Sequence, residues 1–161
     1  MPSGMNYMDK QIILNDIMKQ LDTHIERIGH AYTTVQQAAH DAPGRMQSRY
    51  DTSKVENSWL ADGIGDRLVE LEDQRDTLRR FRVPREPSEE LFAGYIAIVA
   101  HGTEKTHYLM LPACGGATAK QDGVEITVIT PVAPIGQALL LKKKGDRITF
   151  RGVEHIIEEI L

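Results

Sequence analysis

Cys114 holds the only thiol in the chain, and His107 is the imidazole nearest to it in sequence. A thiol beside an imidazole is what nucleophilic catalysis needs. Nothing in the spacing brings the two together and no motif surrounds either, so Cys114 is expected to be a buried or loop cysteine. The six histidines (His24, His30, His40, His101, His107 and His155) show no ligand spacing with each other or with Cys114, which argues against a structural zinc site. The run Gly115-Gly116-Ala117-Thr118-Ala119-Lys120 lacks the spaced glycine and the Lys-Ser/Thr pair of a phosphate loop and is expected to link two strands. Residues 43–54 set Arg45, Arg49 and Lys54 against one acid, Asp51. A net positive stretch of this kind suits phosphates or an acidic protein surface. Ser48, Asp51 and Thr52 equally suit a helix cap or a turn. Asp51 and Glu56, five residues apart, do not share one helical face squarely. Trp59 suits either a contact anchor or packing between helices.

The elements that position these residues follow from periodicity. Between Asp9 and His40 there is no proline and one glycine, Gly29. Leu14, Ile17, Leu21, Ile25, Ile28, Tyr32, Val35 and Ala39 recur every three or four residues, the seam of a coiled coil or helical hairpin, with His24 and Tyr32 expected to pack at or beside it. Asp41-Ala42-Pro43-Gly44 stops that helix. A second seam runs through Leu60, Ile64, Leu68, Leu71, Arg75 and Leu78, with Gly63 and Gly65 marking a kink or a late start. Two long helices joined by a short polar turn pack antiparallel. The expected organisation is a helical hairpin over 1–82 with its tip near 41–56, a proline-bearing linker over 83–90, and a second domain over 91–161.

In that second domain, strands are expected at 95–100, 107–111, 124–129, 147–150 and 153–160, and a short helix at 135–142 after Pro134. The fold class is therefore α+β: an N-terminal antiparallel helical hairpin followed by a small antiparallel sheet with one short helix. At 161 residues with 41% hydrophobic side chains, the chain can bury a core in one or two small domains. A single cysteine excludes an intrachain disulfide and fits a reducing cytoplasm. No apolar run is long enough to cross a membrane, and Met1-Pro2-Ser3-Gly4-Met5 does not resemble the start of a secretory signal. Residues 1–82 carry 11 basic and 13 acidic side chains, and residues 83–161 carry 8 and 10. Neither half has the cationic excess that sequence-specific binding to free DNA requires.

The run Pro131-Val132-Ala133-Pro134-Ile135-Gly136-Gln137-Ala138-Leu139-Leu140, continued by Leu141-Lys142-Lys143-Lys144-Gly145-Asp146, resembles the C-terminal signature of the Gre family of bacterial transcription elongation factors. That signature runs S-P-x-S-P-[LI]-G-x-A-L-L-G-K-x-x-G-D. Thr106-His107-Tyr108-Leu109-Met110-Leu111-Pro112 is similar to the family's strand ahead of its small-residue loop. The resemblance implies an FKBP-like second domain that docks on RNA polymerase while the hairpin enters the secondary channel. It implies polymerase contacts from Pro131, Pro134, Ile135, Gly136, Gln137, Gly145 and Asp146, and tip contacts from Arg45, Ser48, Arg49, Lys54 and Trp59.

Family members that cleave RNA carry Asp-x-x-Glu at the tip, where the carboxylates help hold a Mg²⁺ ion shared with the polymerase. Hard oxygen ligands suit that ion. Here the corresponding residues are Ser48-Arg49-Tyr50-Asp51. The acids left for such a role are Asp51 and Glu56, with Asp41 as a further donor if the tip folds differently. The resemblance thus implies a cytoplasmic, monomeric regulator of RNA polymerase with no stably bound cofactor and no metal site of its own, a divergent relative that cleaves RNA weakly or not at all. Three other readings stay open: an active cleavage factor, an FKBP-like prolyl isomerase, and a plain coiled-coil interaction protein.

Overall fold

The structure, a computed structural model, is described over residues 8–40 and 49–161, and for 39, 40 and 49–59 the description is of the backbone alone. Helix α1 spans Lys10–His40 and helix α2 spans Arg49–Arg80. Six strands follow: β1 Ile96–His101, β2 Glu104–Met110, β3 Thr118–Gln121, β4 Val124–Ile129, β5 Arg147–Phe150 and β6 Val153–Ile160, with helix α3, Pro134–Leu139, between β4 and β5. The chain divides into two compact units. One holds residues 8–18 and Thr77–Leu161, and the other is Lys19–Asp76.

Within the Lys19–Asp76 unit the helices run antiparallel. Arg75 reaches Asp22 at 3.6 Å. Ten residues further along α1, and ten residues back along α2, the ring of Tyr32 lies over Gly65, where a methyl group would sit 3.2 Å from Tyr32 Cε2. The α1 seam is as expected for Leu21 and Ile25, which are buried, and for Ile28, Tyr32 and Val35, which are half-buried. The α2 seam differs from the sequence reading. Leu60 is 52% exposed and its neighbour Ala61 is buried instead. The helix also passes unbroken through Gly63 and Gly65, because the tyrosine that fills the space beside Gly65 makes its missing side chain an advantage. His24 points to solvent rather than into the seam. Arg75 is a charged member of the seam that keeps its guanidinium paired at the edge, in line with the apolar stems that long basic side chains bury.

In the other unit the sheet order is β3-β4-β2-β1-β6-β5. The expected antiparallel sheet is present, with one parallel pair, β2 against β4. The parallel pair arises because the chain turns twice after β2 and lays β3 antiparallel on the far side of β4. β3 is a strand where a loop was expected over Thr118-Ala119-Lys120. The Asp122-Gly123 pair that closes its hairpin is the turn signal in the sequence that marks this strand.

Alternation gives the sheet two apolar faces. Ala97, Val99, Met110, Ile129, Ile148 and Ile157 form one core with Leu91, Tyr95 and Leu139 of α3. Ile96, Leu109, Ile126 and Val128, one register step away, are buried as well, as are Ile13, Leu14 and Ile17 at the start of α1 and Leu78 at the end of α2. Asp9 begins α1 by accepting the backbone N–H groups of Gln11 (3.0 Å) and Ile12 (3.2 Å). Its own N–H donates to Gln121 Oε1 of β3 at 3.0 Å. The first turn of α1 is thereby tied to the sheet edge, and the Lys10 ammonium lies 4.3 Å from the Tyr95 ring centroid.

Candidate functional site

The segment 130–146 is where residue types and backbone geometry fit each other most tightly. Thr130 leaves β4 and its carbonyl accepts the Ala133 N–H at 3.1 Å, closing a turn over Pro131 and Val132. Pro134 then opens α3 at the first helical position, where its missing N–H costs nothing. Gln137 Nε2 reaches back to the Val132 carbonyl at 3.1 Å and braces that turn. Gly136 faces the departing strand so closely that a Cβ there would lie 1.8 Å from the Thr130 carbonyl oxygen. Leu139, fully buried, carries the helix into the core. Ala133 is the cap residue, extended at φ −68° and ψ 152°, and offers no side-chain acceptor. An Ala133→Ser protein is therefore expected to be more stable by about 1 kcal/mol, read from the midpoint of urea unfolding.

α3 ends earlier than its sequence implies, at Leu139 rather than Lys142, because Leu140 turns extended at ψ 130° and Leu141 then takes a left-handed backbone at φ +61°. The Leu141 N–H donates to the Leu91 carbonyl at 2.7 Å, and the Leu91 N–H donates to the Lys142 carbonyl at 2.9 Å. Two residues on one side thus oppose one on the other, with the first of the pair left-handed. This is the pattern of a G1 bulge, which normally places glycine at that position. The signature that this run resembles has glycine at that position, where this chain has leucine.

Beyond it the chain turns again over Lys143 to Asp146. Asp146 Oδ2 accepts the Lys143 N–H at 2.8 Å, and Gly145 supplies the φ of +89°. The Gly145 N–H and the Asp146 carbonyl both bond Ile157 of β6, at 2.7 and 2.9 Å.

Gly136, Gly145 and Asp146 are thus engaged in building the segment. Pro134, Gln137, Val132, Leu141 and the three lysines at 142–144 are exposed, and Ile135 and Pro131 are half-buried. Lys143 lies 3.7 Å from Glu90 across an isolated bridge. An open depression beside it is lined by Ser88, Glu89, Lys143, Lys144, Glu159 and Ile160. Its mixed charges suit a protein contact better than an apolar small molecule.

The thiol of Cys114 is half-buried, and burial pushes its pKa up, so it stays protonated and unreactive at neutral pH. His107 on β2 is half-buried, and burial, helped by Lys105, holds its imidazole below the usual histidine range. The unfolded chain therefore takes up this proton more readily than the folded one. The stability that depends on His107 is full above about pH 6.5, its unfolded value, and falls as the pH drops below it. His107→Gln is expected to flatten the stability profile on the acid side, measured by urea unfolding over a pH series. His101 and His155 on the adjacent strands β1 and β6 stand 5.3 Å apart by ring centroids, a pairing that only the strand register brings about. Among the described residues no group of three or more His, Cys, Asp or Glu side chains is placed to hold a metal ion. Arg45 and Ser48, and the side chains of Arg49, Asp51, Lys54, Glu56 and Trp59, lie outside the described residues, as does Asp41.

No protein-family model matches the chain, and no curated protein aligns with it. Among solved structures it is similar to GreA factor homolog 1 (Gfh1) of Thermus thermophilus, at 19% identity over 89% of this chain and 94% of that one, with a TM-score of 0.36. It is also similar to Thermus aquaticus Gfh1, at 18% identity over 91% and 92% of the two chains, with a TM-score of 0.35. Likeness at this level assigns neither chemistry nor partner to this chain.

Proposed function

We propose that this protein regulates transcription elongation by binding RNA polymerase through its sheet domain and placing its helical hairpin in the secondary channel. The observation that carries the reading is the segment 130–146. Its two prolines, its glycines and its aspartate stand at the Gre-like spacing, and Gly136 and Gly145 occupy positions that other residues fill only at a cost. An antiparallel hairpin within one chain supports a monomer over a coiled-coil dimer, and sedimentation tests that directly. Binding to polymerase implies a cytoplasmic protein.

The tip's donor set does not fit a Mg²⁺ ion. Ser48 offers a neutral hydroxyl where a carboxylate is wanted, and the stretch 43–54 carries Arg45, Arg49 and Lys54 against the single acid Asp51. We therefore assign no cleavage step to it, and expect the chain to occupy the channel without stimulating transcript cleavage. The test is RNA cleavage in backtracked complexes of the cognate polymerase, with and without this protein and with a cleavage-active Gre factor as competitor. Suppression of the competitor's cleavage is the expected result. Stimulated cleavage would instead make this an active cleavage factor, with Asp51 and Glu56 as the first residues to replace. No effect of either kind, with no binding to core polymerase, would overturn the reading.

A further inference from the structure

We propose that Leu141 is an apolar anchor held out, at the expense of backbone strain, for an acidic polymerase surface with an apolar recess; this rests on the polymerase reading above. Four non-glycine residues of the described chain have a positive φ: Cys114, Asp122, Leu141 and Arg151. Asp122 and Arg151 each precede a glycine in a two-residue hairpin turn that requires a left-handed backbone at both positions. Cys114 is half-buried. Leu141 differs from all three. It fills the glycine position of a G1 bulge, and 58% of its surface is exposed, so burial within the chain offsets little of the strain. Strain kept at an exposed apolar side chain points to use of that side chain outside the fold.

The surroundings define what would receive it. Lys142, Lys143 and Lys144 follow directly and are exposed. Across the bulge, Leu91 is followed by Phe92, 40% exposed and fixed edge-on against Tyr95 at 4.7 Å between ring centroids. An exposed leucine followed by three exposed lysines, of which Lys143 already lies 3.7 Å from Glu90, matches an apolar recess rimmed by carboxylates that Lys142 and Lys144 meet. The apolar contacts set residence time and the lysines speed the encounter.

The experiment compares the full chain with Leu141→Gly and Leu141→Asn, since both residues accept a left-handed backbone and neither offers the apolar side chain. Melting temperature and affinity for the cognate core polymerase are measured on each, with sedimentation of the free proteins. Expected are a melting temperature equal to wild type or a few degrees higher, and affinity weakened about tenfold in both variants. Wild-type affinity in both variants would overturn the anchor while leaving the polymerase reading intact. Absence of wild-type binding to core polymerase would overturn both. A concentration-dependent wild-type dimer that Leu141→Gly dissociates would make the occupant a second copy of the chain and overturn the assignment to polymerase.

Discussion

A Gly136→Ala protein is expected to lose roughly 3 kcal/mol of stability, the upper end of what one extra methyl group costs in a packed site. The methyl carbon would lie 1.8 Å from the Thr130 carbonyl oxygen, 2.8 Å from its carbon and 3.3 Å from Pro131 Cα. All three are backbone atoms, so no rotamer change relieves the overlap. Moving the Thr130 carbonyl away breaks its bond to the Ala133 N–H, which closes the turn into α3. Lifting α3 instead withdraws Leu139 from the core, together with the partly buried Ile135 and Ala138. Against a typical total of about 5–15 kcal/mol, either response removes a large share of the domain's stability. Urea unfolding monitored in the far ultraviolet measures it, and polymerase affinity should fall with the folded fraction. A midpoint at the wild-type value would mean that α3 does not approach β4 as closely as described.

Local patterns explain why so much of this architecture is legible in the residues. The α1 seam obeys a three-to-four period because one face must be apolar, and that constraint survives whatever partner helix it meets. Pro134 as a helix start and Gly145-Asp146 as a turn are equally legible, since each answers a backbone demand within a few residues of itself, whereas Gly136 stands in the sequence only as a contact that the resemblance implies and its approach to Thr130 is seen only in the fold. What escapes the sequence depends on the partner element. Leu60 and Ala61 are both compatible with a seam, and only the meeting of the two helices decides which is buried. β3 is four residues long and too short for periodicity to declare it, although the Asp122-Gly123 turn marks where it must reverse. The parallel β2–β4 pair depends on β3 and is hidden with it. Leu141 is the sharpest case. Leucine after Leu139 and Leu140 looks like a continuation of α3, and only the bulge against Leu91 reveals that the helix has ended and the side chain points outward.

Gly94→Ala is expected to cost about 2–4 kcal/mol, from two separable sources. Gly94 has a φ of +99°, far from where an alanine rests, and a Cβ there would lie 2.2 Å from Pro84 Cδ and 2.8 Å from Pro84 Cγ. Its N–H donates to the Met110 carbonyl at 2.7 Å, so the backbone cannot swing away without breaking into β2. Residues 83–90 are held along this surface by more than one contact. Phe81 Cζ also lies within 3.2 Å of the added carbon, and the Tyr95 hydroxyl donates to the Glu86 carbonyl at 2.6 Å. A double-mutant cycle with Pro84→Ala separates the sources. Removing the proline ring relieves the overlap and leaves the backbone strain, so the double variant should be more stable than additivity predicts by about 1–2 kcal/mol. Strict additivity would instead mean that the proline yields freely and that residues 83–90 are only loosely attached. The coupling therefore measures how firmly the prolines bind this segment to the sheet whose first strand begins two residues after Gly94.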